Sequence, residues 1–446
     1  MRISKADILL LSFILLTRIA LFLWIHQDPS RLFNGDSAHY EGLALSLLTS
    51  GTYQYAPYEP YSDLIRPPGY PLLIAAVYAL TYPGNYTALF VINLIGVLLL
   101  YFGIKQLLAT VRLPVSPLIM AFFALDIGWL LYSKEIITEP IFTPLLVWST
   151  IALLKAFKTH RLKYWILSGI GFSFATWIKP ITLYLPVLLA PVLGLRLHKR
   201  YPVLIWLLLA LLLPASWMVR NYLAHKSFVY TSIQNHNLLT GHAAFVYAQK
   251  FKLTHREAQE KIIREVQREN PRYPHLPFAQ KNALEGKVAQ RILSEHPLLY
   301  AQAILRGMLI TLFDPGRLVW NRTFPIENPS KIGLTNIVGK AGIGGALRAL
   351  LQKPLAQRIP LMLYLGFLLL LNGLALSGIP YLYRHAPQSF WLLSLIFLYL
   401  WILGGPNGYA RFRLYLFPFL LVYAQAGLIQ VKNWLQILHT RTSVPS

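Results

Sequence analysis

Residues 8–25 read ILLLSFILLTRIALFLWI, 18 positions with one charge, Arg18. A helix of that length crosses the hydrocarbon core of a bilayer. The run is longer than the apolar stretch of a cleaved leader, and no small-x-small cleavage site follows it. With Arg2 and Lys5 ahead of it, it reads as a retained first span whose N-terminus is cytoplasmic. Arg18 is costly there unless it faces the bundle or snorkels to the interface.

The whole chain repeats this composition. Of 446 residues, 55% are hydrophobic and 13% charged, and the mean hydropathy is +0.48. A soluble domain carries about 25% charged residues. So few charges cannot cover a soluble surface, which makes this an integral membrane protein and excludes disorder, a coiled coil or a small secreted scaffold. Lys and Arg outnumber Asp and Glu 41 to 17, a net charge of +24. In a membrane protein that excess marks cytoplasmic loops and sites for anionic lipid head groups, so it does not point to nucleic acid. There are no cysteines, hence no disulfide, thiol nucleophile or thiolate metal site.

Further apolar runs follow at 89–108, 118–132, 141–157, 164–178, 181–195 and 203–218. Basic residues cluster at alternate ends of these runs (Lys105 and Arg112; Lys155, Lys158, Arg161 and Lys163; Arg196, Lys199 and Arg200), as topology requires. Residues 26–68 are polar and aromatic and belong outside. Residues 71–82 are apolar but too short to span, so they dip into the interface. The last spans are 361–382, 390–403 and 414–431. Residues 298–313, with Arg306 at their centre, read either as a further span or as an interfacial helix. If they do not cross, Arg411 and Arg413 lie outside; that arrangement is adopted. The expected fold class is an all-α polytopic membrane protein of about 10–11 transmembrane helices. It divides into a transmembrane module at 1–245 with its first external loop at 26–88, an external loop at 220–297, and a C-terminal transmembrane region at 298–446.

Within 220–297, Thr254 and Glu257 form a capping box. Ala258, Ile262 and Val266 make one helical apolar stripe, and Leu284, Val288 and Ile292 another. Both fit amphipathic helices lying on the membrane surface, or helices packed on the bundle.

Acidic residues are scarce enough for their positions to matter. Asp28, Asp36, Glu41, Glu59 and Asp63 fall in the first external loop, and Glu135 and Glu139 at the next external mouth. Six more, from Glu257 to Glu295, look like ordinary solvated charges. Asp36 opens a helix-like segment, where it serves either as an N-cap or as a general base, with His39 one turn away. Arg66 lies in IRPPGYP (65–71), where the prolines enforce an extended entry that holds it at head-group level for a phosphate. Tyr40, Tyr53, Tyr55, Tyr58, Tyr61 and Tyr70 suit an interface and can also stack on a sugar. Lys179 and Arg220 end two outward spans, and neither they nor Arg66 has an evident acidic partner in sequence. Together the three form an anion site. Glu135 and Glu139, four apart, would share one helix face. There they either hydrogen-bond substrate hydroxyls or hold a divalent cation, while Glu139 beside Pro140 also suits simple helix capping.

Several motifs recur in a familiar order: Gly35-Asp36 with Tyr40, Arg66-Pro67-Pro68-Gly69-Tyr70-Pro71, Thr138-Glu139-Pro140, Lys179-Pro180, Trp217 with Arg220-Asn221-Tyr222, and Arg411-Phe412-Arg413. This ordered set resembles the bacterial membrane glycosyltransferases of the protein-mannosyltransferase and lipid A aminoarabinose-transferase superfamily, a glycosyltransferase family 39-like group with the GT-C fold. The resemblance implies periplasmic juxtamembrane helices and a polyprenyl-phosphate-linked sugar as donor. It also implies an envelope acceptor and a site facing the periplasm or exterior of the bacterial inner membrane. It assigns catalysis to Asp36 and Glu139, with Glu135 as neighbour. Donor and acceptor binding fall to Arg66, Lys179, Arg220, His39, Tyr40, Tyr70, Asn221 and Arg411. No cofactor is required by such a transfer, with a divalent cation as the alternative. Two rival classes remain: an envelope polysaccharide polymerase or ligase working through Arg and His, and a lipid-linked-sugar flippase or transporter, for which Asp126 is the candidate midplane acid.

Overall fold

The computed structural model describes residues 3–55, 62–195, 197, 200–324 and 344–442. Arg2, Tyr58, Glu59, Tyr61, Arg196 and Lys199, singled out above, lie outside the described residues.

Among the described residues every regular element is a helix. The apolar runs form α1 (Lys5–Ile25), α2 (Ser37–Ser50), α3 (Gly69–Leu80), α4 (Tyr86–Thr110), α5 (Pro117–Leu125), α6 (Ile127–Tyr132), α7 (Glu139–Thr159), α8 (Leu162–Ile178), α9 (Leu185–Gly194) and α10 (Tyr201–His225). The polar stretch then gives α11 (Ile233–Asn237), α12 (Ala244–Phe251), α13 (His255–Glu269) and α14 (Phe278–Glu295). Next come α15 (Pro297–Phe313), α16 (Arg317–Thr323), α17 (Leu355–His385), α18 (Pro387–Leu403) and α19 (Ala410–Thr442). Six of these, α1, α4, α7, α10, α17 and α19, are long and apolar enough to cross a membrane. The chain is a multi-pass membrane protein.

Side-chain contacts fix the direction of each pass. Lys105 and Tyr101 near the end of α4 bond Asp7 near the start of α1, while Phe22 stacks on Phe90, so α1 and α4 run antiparallel. A Cβ on Gly96 would lie 2.1 Å from the Pro140 carbonyl oxygen, and Lys158 bonds the Thr110 carbonyl. Glycine thus lets α4 and α7 approach closely, and the pair runs parallel. Ser168 bonds the Ser149 carbonyl and Lys179 bonds Glu139, which makes α8 antiparallel to α7. Trp206 lies against Ser168 and Leu213 against Ser173, so α10 runs with α8. The shorter apolar helices α9 and α18, and the run of α5 and α6 broken at Asp126, accompany the six helices long enough to cross.

The segment at 298–313 is not among them. Its first turn is tied to the segment before α12 by a hydrogen bond between Tyr300 and His242, and its far end leads into α16, whose Arg322 pairs with Glu135. Both ends therefore sit at the end of the bundle that carries Asp36, and α15 does not run from one end of the bundle to the other. Arg411 then falls on the Asp36 side, as the adopted arrangement requires. Helix α3 is likewise held at that end through Tyr70 against Tyr40 and Tyr78 on Glu41.

The Thr254 capping box forms, with Glu257 bonding the Thr254 amide at 2.7 Å. The stripes of α13 and α14 do not face lipid. Ala258, Ile262, Val266, Val288 and Ile292 pack with Leu239, Ala243 and Val246 into a separate small core. The membrane-surface reading of these stripes is corrected accordingly: protein already covers the apolar faces. Arg18 is 1% exposed and turned into the bundle, the first of the two solutions open to it.

Candidate active site

The loop after α1 enters α2 through Asn34, whose side chain accepts from the Asp36 amide, and Ser37, which donates to the Ile136 carbonyl at 2.8 Å. Asp36 stands at the N-cap position of α2, yet its carboxylate makes no capping bond. It is turned to two arginines instead. Arg66 Nη2 donates to Oδ1 at 2.6 Å, and Arg411 Nη1 to Oδ2 at 2.6 Å. Arg411 also donates from Nε to Glu139 Oε1 at 2.6 Å, and Lys179 Nζ reaches the same oxygen at 2.9 Å. Glu139 Oε2 accepts from Thr138, so its bonds go to side chains and not to the helix end. A continuous chain Arg66–Asp36–Arg411–Glu139–Lys179 results, with three cations against two carboxylates.

Aromatic rings line it. The Arg66 guanidinium lies 5.1 Å over Tyr40, which meets Tyr70 edge-on, and Lys179 lies 5.7 Å from the centre of Tyr415. His39 Nδ1 is 3.5 Å from Arg66 Nε. Burial pushes the Asp36 carboxyl up, but Arg411, Arg66 and then Lys179 outweigh it and hold Asp36 well below the usual carboxylate range. Burial pulls the Lys179 ammonium down against the attraction of Glu139.

Two expectations need correction. The sequence shows no acidic partner for Arg66, Lys179 or Arg220, yet each has one: Asp36, Glu139 and Asp63 respectively. Arg220 therefore does not join the Asp36 chain. Its Nη1 bonds Asp63 Oδ2 at 2.7 Å, while Asn221 donates to the Val229 and Tyr230 carbonyls. Glu135 and Glu139 do not share a helix face either. Residues 133–138 form turns, and α7 starts only at Glu139. Fully buried, Glu135 takes two bonds from Arg322 at 3.0 and 3.1 Å and one from Asn34 at 3.1 Å, with Lys134 3.7 Å away.

Asp126 caps α6 through the Trp129 amide and accepts from Tyr364 at 3.0 Å, which makes it a satisfied acid at a helix break. Among the described residues no group of three or more His, Asp or Glu is arranged to hold a metal ion. Arg322 and Tyr415 were missed from sequence, since nothing local marks either as belonging here. A cavity of about 420 Å³ is lined by Leu183, Tyr184, Met218, Phe228, Tyr230 and Gln234 among others, and by none of the residues of this chain of ion pairs.

No protein-family model and no curated protein matches the chain. Among solved structures, it is similar to crystal structures of ArnT from Cupriavidus metallidurans. The apo form shows 14% identity and a TM-score of 0.38, covering 96% of this chain and 76% of that one. The form bound to undecaprenyl phosphate shows the same identity and TM-score, covering 94% and 77%.

Proposed function

We propose that this chain is an inverting glycosyltransferase of the GT-C kind. It would move a sugar from a polyprenyl-phosphate donor to an envelope acceptor on the extracytoplasmic face of the bacterial inner membrane. The observation that carries the reading is the Arg66–Asp36–Arg411–Glu139–Lys179 chain at one end of the bundle. It holds a single excess positive charge, which matches a phosphodiester monoanion.

Donor phosphate competes with Asp36 for Arg66 and Arg411, since a guanidinium binds phosphate and carboxylate with the same fork of donors. Once released, Asp36 takes the proton of the acceptor hydroxyl. That oxygen attacks the anomeric carbon opposite the phosphate, the bond from that carbon to the phosphate oxygen breaks, and the configuration inverts. The leaving phosphate keeps the bond electrons, and Arg66, Arg411 and Lys179 hold its added charge. Glu139 fixes Arg411 and Lys179. The test is single-turnover transfer by the purified protein from a polyprenyl-phosphate sugar to a panel of envelope acceptors. Sugar transfer with release of polyprenyl phosphate supports the reading. Movement of intact donor between leaflets without transfer would establish the flippase instead.

A further inference from the structure

Arg66 sits in irregular chain between the short turn Ser62–Leu64 and α3, with no helix of its own to hold it. Its guanidinium must nevertheless be placed finely, because misplacement by about 1 Å at a reacting centre costs about 100-fold in rate.

Three contacts fix its backbone. Tyr53 donates to the Pro67 carbonyl at 3.1 Å, and the Ser232 amide to the Leu64 carbonyl at 2.8 Å. The third contact is ionic. Asp63, three residues before Arg66, is 1% exposed. Its Oδ2 lies 2.7 Å from Arg220 Nη1 and 2.6 Å from His225 Nε2, both on the last turns of α10. Arg220 is pinned in turn, 4.8 Å over the Trp217 ring and 3.1 Å from Asn221 Oδ1. Trp217 meets the same Tyr53 ring that holds Pro67. A buried carboxylate gains little stability over an apolar residue, so its presence here calls for a role.

We propose that Asp63 is a positioning residue for Arg66. Clamped by Arg220 and His225, it couples the end of α10 to the donor-phosphate grip. The inference rests on the donor reading above, and it assigns Arg220 to this clamp.

A double-mutant cycle separates the possibilities. Binding of undecaprenyl phosphate in detergent micelles is measured for wild type, Asp63→Asn, Arg66→Ala and the double variant, with thermal unfolding alongside. Asp63→Asn is expected to weaken binding about tenfold in wild type and to add nothing once Arg66 is gone. His225→Gln, which keeps a donor toward Asp63, should show the same pattern with a smaller loss and serves if Asp63→Asn does not fold. Equal losses in both backgrounds would make Asp63 a general structural residue and overturn the proposal. Unchanged binding in Arg66→Ala would overturn the donor reading itself and leave Asp63 nothing to position.

Discussion

Arg411 Nη1 stands 2.6 Å from Asp36 Oδ2 across 375 residues of chain. This contact joins the loop after α1 to α19. It also leaves the proposed base silent without substrate, because Arg411 and Arg66 occupy both of its oxygens. Arrival of an anion that can take over those guanidiniums is what frees it.

Asp36→Asn separates the two roles of this carboxylate. Transfer should fall at least about 100-fold, the low end for loss of a general base. Binding of polyprenyl phosphate should hold or tighten, since Arg66 and Arg411 lose a competing anion. Single-turnover rates and a lipid titration read the two effects separately. A parallel fall in binding would make Asp36 a scaffold for the arginines.

The pH dependence follows from the lowered Asp36 carboxyl. A group depressed in the folded state stabilises it at pH values above its unfolded value, about 3.9, and that contribution is lost as pH falls through the folded value. In the free enzyme, the acid limb of kcat/KM from Asp36 therefore lies below the usual carboxylate range. In the donor complex phosphate takes the arginines, so the acid limb of kcat should move upward. Coincident limbs would show that the ion pairs do not open.

How much of this was legible depends on distance along the chain. The six helices long enough to cross followed from apolar runs, a local signal like the Thr254 capping box. Asp36, Arg66, Glu139, Lys179 and Arg411 were found because each sits at the head or foot of an apolar run or beside proline. Their pairing was not legible, since which cation meets which carboxylate is decided by helix order in three dimensions. Glu135 shows the failure most plainly. Spacing of four suggested a shared face with Glu139, but the turn at 133–138 sends it to Arg322, 187 residues away.

Arg411→Ala should destabilise as well as inactivate. Glu139 is fully buried and would keep only Lys179 as a charged partner. Removing one member of a buried ion pair costs about 3–5 kcal/mol. Adding Glu139→Gln leaves the mostly buried Lys179 without its carboxylate, so the double variant should unfold at a lower temperature than Arg411→Ala alone. Additive losses would show that the pair is not energetically coupled.

The last prediction concerns metal. A divalent cation at Glu139 would have to displace Arg411 Nε and Lys179 Nζ from the same oxygen, at 2.6 and 2.9 Å, and the other oxygen is engaged by Thr138. Glu135, the other ligand such a site would need, is turned to Arg322 and Asn34. In the proposed mechanism three protein cations hold the phosphate charge as it develops, the work a metal would otherwise do. Activity should therefore survive a chelator. Glu139→Gln, which loosens Arg411 and Lys179, should lower turnover about 100-fold, the scale of a 1 Å misplacement. The loss should fall on kcat and on donor affinity together, because the same cations bind the donor and stabilise the leaving phosphate. Inactivation by chelation that Mg²⁺ or Mn²⁺ reverses would assign the carboxylates to a metal, and full activity in Glu139→Gln would reduce Glu139 to a helix-end residue.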